Sequence, residues 1–166
     1  MIRPVEHKDI PEILEIYNYY IETSTVTFEE ELLDLKTFVE RIESITQQYP
    51  YFVYLEDNKV VGYAYAGLFR TRIAYRFSVE TSVYVHKDHY KKGIAGKLYE
   101  VLIKELKDRG IRSAIGGITL PNDASVALHE KLGFKKAGHF KEVGFKFDQW
   151  LDVGFWQLML IDQKGE

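Results

Sequence analysis

The sequence predicts a single mixed α/β domain, with a central β-sheet flanked by helices, and three observations lead there. Amphipathic helical stripes alternate along the chain with short apolar runs rich in β-branched and aromatic residues. The pair Asp57-Asn58 separates two such runs and reads as a hairpin turn. The later half then reads strand–turn–helix–strand–helix–strand. The 166 residues are enough for one domain that buries roughly two thirds of its unfolded surface.

Taken in order, Ile2 to Val5 suits a short strand. A helix opens near Asp9 with Pro11 in its first turn, and Ile10, Ile13, Leu14, Tyr17 and Ile21 form its apolar stripe. Glu22 to Glu31 breaks that period and reads as a loop. A second helix carries Leu35, Phe38, Val39, Ile42 and Ile45 on one face. Tyr51 to Glu56 and Val60 to Ala66 form the hairpin, and Phe77 to Val85 is a longer strand. A helix follows from about Gly93 to Leu106, then a strand from Arg112 to Ile118. Pro121-Asn122-Asp123 opens a further helix that Gly133 ends. Two strands, around Val143 to Phe147 and Val153 to Leu160, complete the tail.

Composition narrows the functional classes. Apolar residues make up 46% and charged residues 28%, as in an ordinary globular chain. The net charge of −3 and the lack of a dominant basic stripe argue against a nucleic-acid partner. No apolar run approaches the ~20 residues a membrane-spanning helix needs. The charged start, MIRPVEHKDIPEI, does not read as a signal peptide, so a cytoplasmic protein is expected. With no cysteine, a disulfide, a thiolate metal site and a cysteine nucleophile are all ruled out. The five histidines are scattered, and no metal site is expected. His86 and Lys87 read as solvated turn residues, and His7 and His89 have no evident partner. No serine-nucleophile elbow is present.

The most informative segment runs from Ser82 to Leu98. A strand ends, a turn carries Lys91 and Lys92, and a helix begins with Gly93, Ile94, Ala95 and Gly96. Free backbone N–H groups and the helix dipole favour an anion there, and small residues let it reach the main chain. From His89 to Lys97 the sequence holds no carboxylate, so a pyrophosphate fits without repulsion. Taken alone, the segment equally suits a glycine-lined helix entry with lysines facing water. Two sharper motifs fail. A P-loop would need Ser or Thr after Lys97 and glycine at 91; the dinucleotide fingerprint would need glycine at 95 and 98.

The segment resembles the cofactor loop of GNAT-type acetyltransferases, whose pattern is Arg/Gln-x-x-Gly-x-Gly/Ala. Tyr90-Lys-Lys-Gly93-Ile-Ala95 fits it except at Tyr90, where a phosphate contact worth about 1–2 kcal/mol is lost. The likeness narrows to the phosphinothricin and methionine sulfoximine N-acetyltransferase subfamily. It rests on Tyr20–Phe28, Ala64–Gly67, Val79–Val85, Leu120–Ser125, His129–Phe134 and Asp152–Leu158, in that order.

That resemblance implies a GNAT fold with a strand–turn–helix acetyl-CoA site, and site residues follow from it. The backbone of Val83, Tyr84 and Val85 would pair with pantetheine, and Lys91, Lys92, Gly93, Ile94, Ala95 and Gly96 would hold the phosphates. Asn122 would contact the cofactor arm or serve as a helix N-cap, and both roles are compatible; Ser125 lies one turn on. Glu80, on an otherwise apolar strand, would be the general base, desolvation raising its pKa; an exposed strand carboxylate or an ion pair is the plainer reading. His129 would donate to the leaving sulfur or relay a proton, against a structural histidine beside Leu128 and Leu132. Arg70, Arg72 and Tyr75 would line the acceptor pocket, or form a solvated hairpin tip, with Phe28 over the acceptor stem. Glu29 stands where some relatives carry Arg, which would disfavour anionic acceptors.

The expected reaction is direct acetyl transfer from acetyl-CoA, without an acyl-enzyme, to a small amino-acid-like acceptor. A polyamine or protein N-terminus as acceptor, or a non-catalytic acyl-CoA sensor, are the alternatives. The resemblance and the aromatic-rich tail also point to a homodimer.

Overall fold

The computed structural model describes residues 1–161. Seven strands form one sheet: β1 (Ile2–Pro4), β2 (Tyr51–Glu56), β3 (Lys59–Leu68), β4 (Ser78–Val85), β5 (Ser113–Leu120), β6 (Lys135–Lys146) and β7 (Gln149–Met159). Their order is β1-β2-β3-β4-β5-β7-β6. Four helices cover the sheet: α1 (Ile10–Thr23), α2 (Leu35–Thr46), α3 (Ile94–Asp108) and α4 (Asp123–Lys131). No helix among the described residues is long and apolar enough to cross a membrane.

The alternation of each strand assigns residues to two faces. On one face Ile10, Ile13, Tyr17 and Ile21 of α1 and Phe38 and Ile42 of α2 pack on Tyr51, Val53 and Tyr63. On the other, Leu98, Leu102 and Leu106 of α3 pack on Ala64, Ala66, Val79, Ala114 and Trp156. Each buried Leu, Ile, Val or Phe among them adds roughly 1.5–3 kcal/mol of burial. Asp57 and Asn58 both take positive φ, which gives the β2–β3 hairpin its tight turn.

The pairing of β4 decides where a ligand can go. It pairs antiparallel with β3 along its length, from Gly62↔Val85 to Leu68↔Val79. With β5 it pairs parallel only over Ser78↔Ser113, Val79↔Ala114 and Glu80↔Ile115. Past Glu80 the two strands part, leaving a fork with an open edge on β4.

Two expectations need correction. Strand β6 begins at Lys135, well before the expected Val143, because its front half is an edge strand exposed to solvent at nearly every position. It therefore lacks the apolar alternation by which strands are read. Helix α1 runs to Thr23, so the loop begins at Ser24 rather than Glu22.

Candidate active site

A cleft of about 560 Å³ fills the fork. Val83, Tyr84 and Val85 form one wall, Lys91 to Gly96 the turn, and Asn122, Ser125 and His129 the α4 side. The sequence-predicted cofactor residues therefore converge. Thr81, Tyr99, Tyr20 and Val26 also line the cleft and were not anticipated. Their signal lies in contacts distant in sequence, which spacing cannot reveal.

The turn is built to offer amides. Lys91 and Gly93 both take left-handed φ, +63° and +74°, the kind of backbone from which anion-binding nests are built. Gly93 is the N-cap of α3, and the first intrahelical bond is Lys97 N–H to Gly93 O. The preceding helical N–H groups have no partner within the helix. A Cβ at Gly96 would meet only Leu128 Cδ1, at 3.9 Å. Nothing in the protein's own packing demands glycine there, whereas an approaching phosphate would.

Charge in the turn differs from the linear reading. The end of β2 brings Glu56 alongside, with its carboxylate 2.9 Å from His89 Nε2 and 3.6 Å from Lys92 Nζ. His89 thus has a partner, and Lys92 is not free of carboxylates. Lys97 Nζ sits 6.0 Å over the Tyr54 ring, outside the cleft lining.

Along β4, the Val85 carbonyl accepts a hydrogen bond from Tyr20 Oη at 2.5 Å. Tyr84 turns its ring to the α1 face, against Tyr17 and Tyr63. Asn122 is an N-cap: its Oδ1 accepts from Ser125 N–H at 3.1 Å while the residue also lines the cleft.

His129 is buried, and its Nδ1 lies 2.7 Å from the Ser125 carbonyl. A carbonyl only accepts, so Nδ1 carries the proton and Nε2 is the bare nitrogen. Nε2 faces Tyr99 Oη at 3.1 Å, and that hydroxyl is 3.3 Å from Thr81 Oγ1. Burial lowers the His129 pKa, with the Ser125 carbonyl opposing, so the ring is neutral at pH 7. Burial raises the Tyr99 phenol, which keeps its proton. The ring is held from β5 as well: a Cβ on Gly116 would come within 2.6 Å of Nε2.

Glu80 approaches the fork from the opposite face. It is the last β4 residue paired with β5, and it shares a face with Ser82 and Tyr84. Its side chain reaches water, yet protein crowds it on the other side. That crowding raises its pKa, and Arg70 works against the rise. Glu80 does not line the 560 Å³ cleft; nor do Phe28, Arg70, Arg72 and Tyr75. The arginines and Tyr75 lie on the exposed β3–β4 loop, where Arg70 packs on Phe69 and Tyr75 edges the same ring. Phe28 lies over the backbone of Gly144, where a Cβ would collide with its ring. Glu29 is not a free charge: Arg41 grips it with two bonds of 2.7 and 2.9 Å, and Tyr17 Oη donates to it. Arg41 holds the Glu29 carboxyl below the usual range. Among the described residues, no group of three or more His, Cys, Asp or Glu side chains could hold a metal.

A sheet forked between β4 and β5, with a glycine-rich helix N-terminus at its mouth, defines an acyltransferase architecture. Residues 2–154 match the acetyltransferase (GNAT) domain, and the chain belongs to that family of N-acetyltransferases. It is 40% identical to the phosphinothricin N-acetyltransferase of Streptomyces viridochromogenes, over 94% of this chain and 85% of that one. It is 36% identical to the L-methionine sulfoximine/L-methionine sulfone acetyltransferase of Salmonella typhimurium, covering 96% and 94%. The fold matches the crystal structure of a phosphinothricin acetyltransferase from Sinorhizobium meliloti in complex with acetyl-CoA. There the TM-score is 0.93 and the identity 37%, over 96% of this chain and 87% of that one.

Proposed function

We propose that this enzyme transfers the acetyl group of acetyl-CoA directly to the amino group of a small amino-acid-like acceptor of phosphinothricin, methionine sulfoximine or methionine sulfone type. The fork carries this reading: an open strand edge, an amide-lined turn and the Tyr99–His129 pair line one cleft, and Glu80 stands on the other face of β4 where its pairing with β5 ends. The names of the relatives supply the acceptor class.

The residues fit the coenzyme. The N–H groups from Gly93 to Gly96, with Lys91 and Lys92, suit a diphosphate. Because Tyr20 occupies the Val85 carbonyl, the pantetheine amides are left with the Val83 backbone and the Val85 N–H. Asn122 and Ser125 close the α4 side. Bound there, acetyl-CoA supplies an acetyl thioester.

An amino acid arrives mostly as ammonium and must lose a proton before its nitrogen attacks. Glu80 accepts that proton, directly or through water, and its raised pKa makes it a better base. The departing sulfur needs a proton in return. Neutral His129 has none to give from Nε2, so the donor is the single proton of Tyr99 O–H, which leaves Nε2 for the sulfur and is then replaced from solvent; His129 and Thr81 hold the hydroxyl in place. Of the two roles expected of His129, donor to the sulfur or proton relay, this reading drops the donor and makes it half of a Tyr99–His129 pair. Arg70 and Arg72 have no ion-pair partner among the described residues, which favours an anionic acceptor over a polyamine.

The protein is taken to act in the cytoplasm as a homodimer. Edge strand β6, its neighbour β7 and the turn between them expose Phe140, Phe145, Phe147 and Trp150, a surface suited to a second copy. Sedimentation of a single monomeric species would refute the dimer. The activity is tested by thiol release from acetyl-CoA with a panel of amino-acid analogues, polyamines and peptides. Release with the analogues supports the proposal. Release only with polyamine or peptide would overturn the acceptor class, and binding without release would mark a sensor.

A further inference from the structure

We propose that Lys146, with Gly144 beside it on β6, is a positioning residue that sets the loop Ser24–Asp34, and with it Phe28, on the acceptor side of the fork. The acceptor side is the face of β4 that carries Glu80, the base in the function proposed above on which this inference rests; Tyr84 on that same face packs against Tyr17 of α1.

Lys146 is 1% exposed. Its ammonium donates to the carbonyls of Ile21 at 2.8 Å, Ser24 at 2.8 Å and Thr27 at 2.9 Å. An ammonium has three protons, and all three are used. Ile21 and Ser24 stand at the C-terminal end of α1, where carbonyls lack helical partners and the dipole is negative. The last turn of α1 contains no basic residue of its own. Lys146 therefore supplies that charge from 122 to 125 residues away. An apolar side chain could fill the same volume, but only a trivalent donor specifies where the carbonyls at 21, 24 and 27 must stand.

The loop is fixed on both sides of Phe28. Thr27 is tied through its carbonyl to Lys146 and through Oγ1 to Tyr17 Oη at 2.9 Å. Glu29 is tied to Arg41 and Tyr17. Further on, the Asn18 amide brackets Leu33, donating to its carbonyl and accepting from its N–H, both at 3.0 Å. Two residues before Lys146, on the same face of β6, bare Gly144 receives the Phe28 ring. Val26, in the same loop, reaches the cleft lining. The loop thus spans from the cleft to β6 with its shape already set.

The test compares wild type with Lys146→Met and Gly144→Ala, using methionine sulfone as acceptor. Both variants are expected to raise the acceptor KM by roughly tenfold or more while calorimetric affinity for acetyl-CoA is unchanged. Amides of residues 24–30 in Lys146→Met should exchange hydrogen faster, with α3 and β4 unaltered. If Lys146→Met does not fold, Gly144→Ala carries the kinetic test alone. An unaltered acceptor KM in the folded variants, or an equal loss of acetyl-CoA affinity, would overturn the proposal. If wild type turns over no acceptor, the proposed function fails. Hydrogen exchange then still decides on the loop, and unaltered rates at 24–30 would overturn its setting by Lys146.

Discussion

The two faces of the sheet meet the fork with different materials. On the α3 face the site is made of backbone and absence: an open β4 edge, left-handed turn residues and the bare Gly96. On the α1 face it is made of side-chain clamps: Glu29 with Arg41 and Tyr17, Asn18 around Leu33, Lys146 on three carbonyls. Backbone amides recognise what phosphates and amides have in common, whereas side chains arranged over a distance shape a pocket for one acceptor. Changes on the α3 face should therefore alter coenzyme affinity, and changes on the α1 face should alter acceptor kinetics.

The largest effect expected is for Glu80→Gln. It removes the proposed base without touching the turn, so kcat/KM should fall by about 10²–10⁴ while acetyl-CoA affinity stays as it was. In wild type the acid limb of kcat/KM should lie above the ordinary glutamate range, since burial raises the Glu80 pKa. That limb should vanish in the variant. A variant with normal kcat/KM would break the division of labour between the faces.

Gly116→Ala sharpens the comparison next. The new Cβ would meet His129 Nε2 at 2.6 Å and push the ring off Tyr99 and the Ser125 carbonyl. Thermal unfolding should register a loss of about 1–3 kcal/mol, and kcat should fall while acceptor KM holds. Gly117→Ala meets Phe155 only at 3.4 Å and is the milder control.

His129 also leaves a signature in stability. Its folded pKa is depressed, so the unfolded chain binds the proton more readily. Stability is complete above the unfolded value near 6.5 and declines as pH falls through the folded value. The unfolding midpoint of His129→Asn should decline less over that window. Smallest of all, Glu29→Gln weakens a half-exposed pair and should cost roughly 1 kcal/mol or less. Its sign on acceptor KM is the informative part. A rise fits the clamp, whereas a fall would restore the reading of Glu29 as a charge that repels anionic acceptors.

The same contrast explains what the sequence disclosed. The coenzyme side is local: strand, turn and helix follow one another from Val83 to Gly96, and helix-start chemistry is written in consecutive residues. Placing Asn122 and His129 against that segment took the family likeness. The acceptor side is assembled from residues more than a hundred positions apart, such as Lys146 and Ile21. Lys146 looks like one more polar residue on an exposed edge strand until folding buries it. Glu29 looks like an open charge until Arg41 arrives from α2. Glu56 comes beside the turn before α3 only because the β2–β3 hairpin ends there, so a count of charges along His89 to Lys97 misses it.

Calorimetric titration of acetyl-CoA into wild type, Glu80→Gln and Gly96→Val tests the central claim most directly. Wild type and Glu80→Gln are expected to bind alike, and Gly96→Val at least about tenfold more weakly, because its side chain would fill the space before the helix amides. Equal binding by all three, or loss of binding in Glu80→Gln alone, would contradict a coenzyme held by the α3 N-terminus and the open β4 edge.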